Sequence, residues 1–455
     1  MKKILSIALI AALAVCSVFA TSFKGSAAIE LGYDLDTKDY GFANKPSTEL
    51  KFGFELESGN GGKAGEKDLR AEIAGEFKVE FKENKYTETG DLKAATISTL
   101  KISKANILYK DILTVGILGP GKSADYASSY NVNDKGETLS DLIVGFDGKE
   151  FSAIDPTFSN INGFTVEAYG VKGGFGLNGN ATEKASWFEM LAHAALTDKV
   201  LADGLKLSVG AAAEVGTMYE ETATCLQFNV KGDYVKDMLS VTGAVDFGLG
   251  LTTIKDVETE VELEASAAAK YDFVTANFYM YSLDKFENTI VDAKVAAKKT
   301  FDIEEGISVT ANGSFEANNI ADKTRDALDK TSVNKGKQEF TIAAGASATV
   351  DAFTFGLDAS YGFKGKELSI APSVTYKHEM FTASLSGKFT TVIETEKSNV
   401  LSIKASISSD TIIDGATIAL TYDKASYDGA YMNLLKDQTK AQKLGKITAS
   451  AKVEF

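Results

Sequence analysis

Cysteine, histidine, proline and tryptophan are nearly missing from this chain of 455 residues, with 2, 2, 4 and 1 copies. Cys16 lies in an N-terminal apolar run, which leaves Cys225 with no internal disulfide partner. Stability must therefore come from burial and closed hydrogen bonding. His193 and His378 have no metal-ligand spacing around them. His378-Glu379 reads as a turn at a strand end rather than as a catalytic pair, so the chain is not expected to be an enzyme and no cofactor is expected. Pro46, Pro120 and Pro156 fall in turns or loops, as backbone ladders that need every N–H require. Pro372 sits inside a strand-like run, which predicts a shortened or bulged strand there.

Long apolar runs are also missing, with one exception. Met1, Lys2 and Lys3 precede an apolar stretch from Ile4 to Val18, and Val18-Phe19-Ala20 offers small residues at a cleavage site. Residues 1–20 read as a secretory leader cut after Ala20, too short and wrongly flanked for a transmembrane helix. Leu13-Ala14-Val15-Cys16 loosely resembles a lipoprotein processing site, but Val precedes the cysteine and Ser17 to Ala20 continues largely apolar. Elsewhere nothing approaches a helical membrane span, and a mean hydropathy of −0.06 excludes a helical membrane protein. The net charge of −15 argues against nucleic-acid binding.

What the chain does have is alternation. Leu69, Ala71, Ile73, Gly75, Phe77, Val79 and Phe81 share one face of a run whose other face holds Arg70, Glu72, Glu76, Lys78 and Glu80. Leu239 to Leu249, Val257 to Tyr271, Ile307 to Phe315, Phe340 to Ala348, Phe353 to Tyr361, Phe381 to Phe389 and Leu401 to Ile407 repeat the pattern. Period two is a strand with one apolar and one wet face. These runs average roughly 10 residues, against about 5 to 6 in ordinary soluble sheets. That length, with charges on only one face, predicts an all-β fold: an antiparallel transmembrane β-barrel over residues 21–455, charged face to the lumen and apolar face to lipid. A mature chain of about 435 residues predicts roughly 16 to 20 strands. Tyr33, Tyr109, Tyr169, Tyr271, Tyr376 and Tyr422 fall near strand ends, where an interfacial girdle would lie. Glu183 to Gly204 fits strand, but Trp187, Met190, Leu191, Ala194, Ala195 and Val200 also fit a helix.

Breaks in alternation mark loops at Gly119 to Gly163, Asn318 to Gln338 and Asp423 to Lys446, and one of them could fold into the channel. Gly116 to Ser123 (GILGPGKS) matches the phosphate-loop pattern G-x-x-x-x-G-K-[ST]. No apolar helical periodicity follows it and no alternating strand–helix order surrounds it, so a glycine-rich hairpin turn is the better reading. Asn131 to Gly136 only faintly matches a calcium loop, since Lys135 takes a ligand position.

The last ten residues alternate strictly. Ile447, Ala449, Ala451, Val453 and Phe455 oppose Lys446, Thr448, Ser450, Lys452 and Glu454. This run resembles the closing strand of bacterial outer-membrane β-barrels. The resemblance implies that Ile447, Ala449, Ala451, Val453 and Phe455 are a barrel-assembly signal read by the barrel-insertion machinery. As a whole the chain looks like a barrel of the porin type. In its lysine- and glutamate-rich strands, low proline and histidine and lysine-led leader it is similar to the major outer sheath (surface) proteins of treponemal spirochaetes. That likeness implies an abundant surface antigen of the bacterial outer membrane, its loops exposed, which lets small hydrophilic solutes diffuse passively and adheres to host matrix proteins. By analogy with porins a homotrimer is plausible. The expected lumen charges are Glu258, Glu260, Glu262 and Glu264, which predict mild cation preference, with Arg70, Glu72, Glu76 and Lys78. Two alternatives stay open: an adhesin on a narrow or plugged barrel, and a secreted or lipid-anchored β-protein.

Overall fold

The computed structural model describes residues 20–36, 38, 40–59, 69–86, 92–110, 112–121, 124, 126–127, 162–182, 185–218, 221–253, 260–283, 288–321, 338–393, 400–424 and 444–454. Residues 1–19 of the expected leader, the Asn131 to Gly136 run and Phe455 lie outside them. Among the described residues the regular structure is all strand. The first eleven strands are β1 (Ala20–Asp34), β2 (Tyr40–Gly59), β3 (Leu69–Tyr86), β4 (Leu92–Tyr109), β5 (Leu113–Gly116), β6 (Asn162–Ala168), β7 (Val171–Thr182), β8 (Ala185–Ala202), β9 (Leu205–Met218), β10 (Glu221–Lys236) and β11 (Leu239–Thr252). The other eleven are β12 (Glu260–Tyr271), β13 (Val274–Leu283), β14 (Asn288–Glu304), β15 (Ile307–Asn318), β16 (Glu339–Val350), β17 (Phe353–Gly362), β18 (Glu367–Lys377), β19 (Thr382–Val392), β20 (Val400–Ser409), β21 (Ala416–Lys424) and β22 (Lys446–Glu454).

Each strand pairs antiparallel with the next, and β1 pairs with β22 from Ser26↔Glu454 to Asp34↔Lys446. The sheet is therefore one closed up-and-down barrel. Closure removes the free edges that would otherwise present unpaired N–H and C=O groups. The 22 strands exceed the expected 16 to 20 because most connections on one rim are short turns. There β6 to β7 turn on Tyr169-Gly170 alone, with φ of 54° and 81°, as a two-residue type I′ turn requires. Asp237, Asp272 and Asp351 also take positive φ in the short turns that follow β10, β12 and β16. The opposite rim carries the three longest connections, after β5, β15 and β21.

Two local expectations resolve. Within Glu183 to Gly204, Ala185–Ala202 is strand β8 and Asp203-Gly204 its turn, not a helix, and Glu183 and Lys184 lie outside the described residues. Pro372 neither shortens nor bulges β18, which runs unbroken and in constant register with β17. Toward β19 the ladder has no pairs at Ala371 and Pro372 and resumes at Ser373↔Ser386, as a residue without an N–H would dictate.

Outside the bulges in the β1–β2, β3–β4, β8–β9 and β14–β15 pairings, register carries one parity around the barrel. A closed sheet crowds side chains on its concave face and splays them on its convex face. Asp246, Glu264 and Asp292 are buried on one face. On the other, Phe228, Val245, Phe278, Phe315, Phe355 and Leu385 are 39 to 53% exposed. The wall is thus polar inside and apolar outside, the reverse of a soluble protein. Such a belt of exposed apolar side chains suits a bilayer, where closed strands satisfy the backbone and apolar side chains meet lipid. Aromatics gather at the strand ends as expected. Phe353 and Tyr376 pack 4.6 Å apart near the short-turn rim, and Lys299 Nζ stands 4.7 Å over the Phe273 ring.

Candidate functional site

Two arcs of the lumen wall differ in chemistry. From β8 to β14 it carries acids and tyrosines. One line of paired residues crosses Asn229, Asp246, Glu264 and Tyr281 on four successive strands, with Tyr279 buried alongside. From β15 to β22 the same face is dominated by serine and threonine.

A segment of chain lies against the acidic arc. Gly116 ends β5, and the Ile117 N–H still donates to Ala105 O at 3.0 Å. Beyond it the chain leaves the wall through Gly119 and Gly121, at φ of 108° and 71°. His193 Nε2 donates to the Pro120 carbonyl oxygen at 2.6 Å, so that nitrogen carries a proton. Further on, the Tyr126 N–H donates to Asp246 Oδ2 at 2.9 Å, and the Ala127 N–H reaches the same oxygen. Asn229 Nδ2 donates to the other oxygen, Oδ1. A carboxylate that takes three donors is a strong anchor, since hydrogen bonds to a charged group contribute about 1.5 to 3 kcal/mol each.

The wall makes room for the segment with glycine. A Cβ at Gly174 would stand 1.8 Å from the Pro120 carbonyl oxygen, and one at Gly210 would stand 2.5 Å from the Ala124 Cβ. Both glycines share the interior parity with His193 and Asn229. Lys122 and Ser123 of the GILGPGKS run lie outside the described residues, and Gly116 to Gly121 is not a hairpin turn. It is the start of the inserted segment, and the amides of Tyr126 and Ala127 are committed to Asp246 rather than free for phosphate.

The expected lumen charges separate into two groups. Glu72, Glu76 and Lys78 take interior positions on β3, half-buried, and Glu72 pairs with Lys104 of β4. Arg70 holds the same parity in register. Glu264 is buried beside Asp246 on the acidic arc, and Glu260 and Glu262 fall at its parity in β12. Glu258 lies outside the described residues. β3 lies outside both arcs, nine strands from β12 along the sheet, so the two groups stand on separate parts of the wall. Ile447, Ala449, Ala451 and Val453 take the outward parity of β22 at the closing seam. Sequence reasoning missed His193, Asn229, Asp246, Gly174 and Gly210. Asp246 had a faint signal, as a lone acid in an otherwise apolar and small-residue strand.

No protein-family model matches the chain, and no curated protein matches it in sequence. Among solved structures it is similar to the translocation pore of the P pilus usher PapC, at 8% identity and a TM-score of 0.36 over 95% of this chain and 99% of that one. It is also similar to the ferric citrate transporter FecA, at 7% and 0.39 over 96% and 79%. A third is Salmonella typhi OmpF in complex with daunomycin, at 11% and 0.30 over 95% and 97%. The barrel fold stands on the strand pairing itself.

Proposed function

We propose that the chain is a channel of the bacterial outer membrane through which small hydrophilic solutes diffuse passively. The observation that carries this reading is the inverted wall: a closed sheet with buried acids on its concave face and half-exposed phenylalanines and leucines on its convex face. A barrel of 22 strands is too wide for wall side chains to fill. The segment held by His193 and Asp246 narrows the lumen, and Glu258, Glu260, Glu262 and Glu264 favour cations. In this reading β22 carries the assembly signal that the insertion machinery reads. The test is planar-bilayer recording of the detergent-extracted protein. Discrete, repeatable current steps are expected, and a silent membrane that demonstrably contains the protein would sink the channel.

A second reading has its own observation. The three longest connections, after β5, β15 and β21, all leave the same rim. That rim would face outward and serve as an antigenic surface that adheres to host matrix proteins, as the likeness to treponemal sheath proteins implies. Deletion of Asn318 to Gln338 should lower matrix binding and leave conductance unchanged. Equal binding by the deleted protein would remove that loop from the account.

A further inference from the structure

The hydroxyl arc contains a continuous row. Thr349, Thr354, Thr375, Ser384, Ser406 and Thr421 are directly paired neighbours on the six successive strands β16 to β21. Ser308 of β15 extends the row at one end and Thr448 of β22 at the other. Eight adjacent strands therefore present a hydroxyl at the same register position, all on the interior parity. The members from Ser308 to Thr421 are half-buried, as residues of a lumen wall are. Neighbours also bond to each other: Thr349 and Thr354 hydroxyls at 3.1 Å, Ser384 and Ser406 at 2.7 Å. A hydroxyl has one donor and two acceptor sites, so a pair that shares one bond keeps capacity for a solute.

Barrel tilt turns this row into a ramp. Ser308 is the second residue of β15, just past the short turn at Gly306, while Thr448 is the third residue of β22, at the long-loop rim. Seven steps of about 4.8 Å give about 34 Å of row, which at a strand tilt of roughly 40° rises on the order of 20 Å along the axis. That rise is most of an apolar belt about 25 Å tall. The steps are uniform, uncharged and each about the length of one sugar unit. On the acidic arc the corresponding line is Asn229, Asp246, Glu264 and Tyr281, interrupted by charge and partly covered by the inserted segment.

We infer that the hydroxyl ramp is a track along which linear, uncharged, polyhydroxylated chains, namely oligosaccharides, cross the channel. The inference rests on the channel reading and names its preferred solute class. A sugar exchanges hydrogen bonds with one step while it leaves the last. Each stop is shallow because the hydroxyls are neutral, so the chain is guided without being trapped.

The test is single-channel recording with an α-1,4-linked glucose hexamer on one side of the membrane. A polyethylene glycol of equal length, which fills volume but offers no hydroxyls along its length, is the control. The hexamer should interrupt the salt current with saturable frequency and longer dwell than the glycol. A channel with Thr349→Val, Thr354→Val, Thr375→Val, Ser384→Ala, Ser406→Ala and Thr421→Val should shorten the dwell about tenfold, the loss of one to two hydrogen bonds per stop. Equal dwell of hexamer and glycol in the unaltered channel, a comparison that needs no variant to fold, would overturn the ramp and leave the channel standing. Absence of any salt current from inserted protein would overturn both.

Discussion

The two arcs of the lumen wall are built from one rule and do different things. Both place polar residues at every second position of long antiparallel strands. From β8 to β14 those positions hold Glu189, Asp246, Glu264 and Asp292, buried, with a segment of chain fastened across part of them. From β15 to β22 they hold a ladder of serine and threonine. The difference teaches that period-two alternation fixes only the side of the wall. What a wall does depends on which polar residues share a row, and rows are set by register across strands distant in sequence.

The acidic arc is the easier one to break. Gly174→Val would place side-chain atoms where the Pro120 carbonyl stands, so the segment must leave and conductance should rise. Gly232→Val and Gly243→Val are the controls, because a Cβ meets nothing within 4 Å at either site. Their single-channel steps should match those of the unaltered protein, and an equal rise in all three variants would mean that the segment is not what narrows the lumen.

Selectivity sharpens the contrast further. With Glu258, Glu260, Glu262 and Glu264 all changed to Gln, reversal potentials in a salt gradient should move toward parity between cations and anions. The dwell of a neutral oligosaccharide should be unaffected. If selectivity is unchanged, those four lie outside the narrow part of the pore.

The smallest effect is expected on the β1–β22 seam, where the hydroxyl row ends at Thr448. Asp36 accepts from the Leu444 N–H at 3.0 Å and the Gly445 N–H at 3.1 Å, and the Leu35 N–H donates to Gly445 O at 2.9 Å. Asp36→Ala should cost about 1 kcal/mol at this exposed site. The expected readout is a slightly lower temperature of barrel melting on semi-native gels with conductance intact, and loss of conductance would assign the seam a larger role.

Much of the outer wall was legible in the sequence. Leu69 to Phe81 and Ile447 to Val453 alternate because lipid and water are different solvents, and that contrast is local to each strand. The stretch around Trp187 and Leu191 is the strand its alternation suggested, and it also fitted helical spacing because a strand with apolar residues at both parities mimics helical periodicity. Pro372 read as a defect because ladder pairing depends on a neighbour the sequence does not identify. The inserted segment stayed hidden for the same reason. Pro120 and His193 are 73 residues apart, and Tyr126 and Asp246 are 120 apart. The glycines that admit the segment, Gly174 and Gly210, look like any others until the register aligns them with His193 and Asn229. The hydroxyl ramp depends on register across eight strands and leaves no mark within any one of them.

The most direct test of the account is single-channel conductance of the protein and its Asp246→Ala variant, recorded in the same membrane composition. Asp246 holds the Tyr126 and Ala127 amides and the Asn229 side chain, so its loss should free the inserted segment while the barrel persists. Discrete steps from both proteins, larger in the variant, are the predicted result. Silence from both inserted proteins, or steps of equal size, would contradict a channel narrowed from its acidic arc.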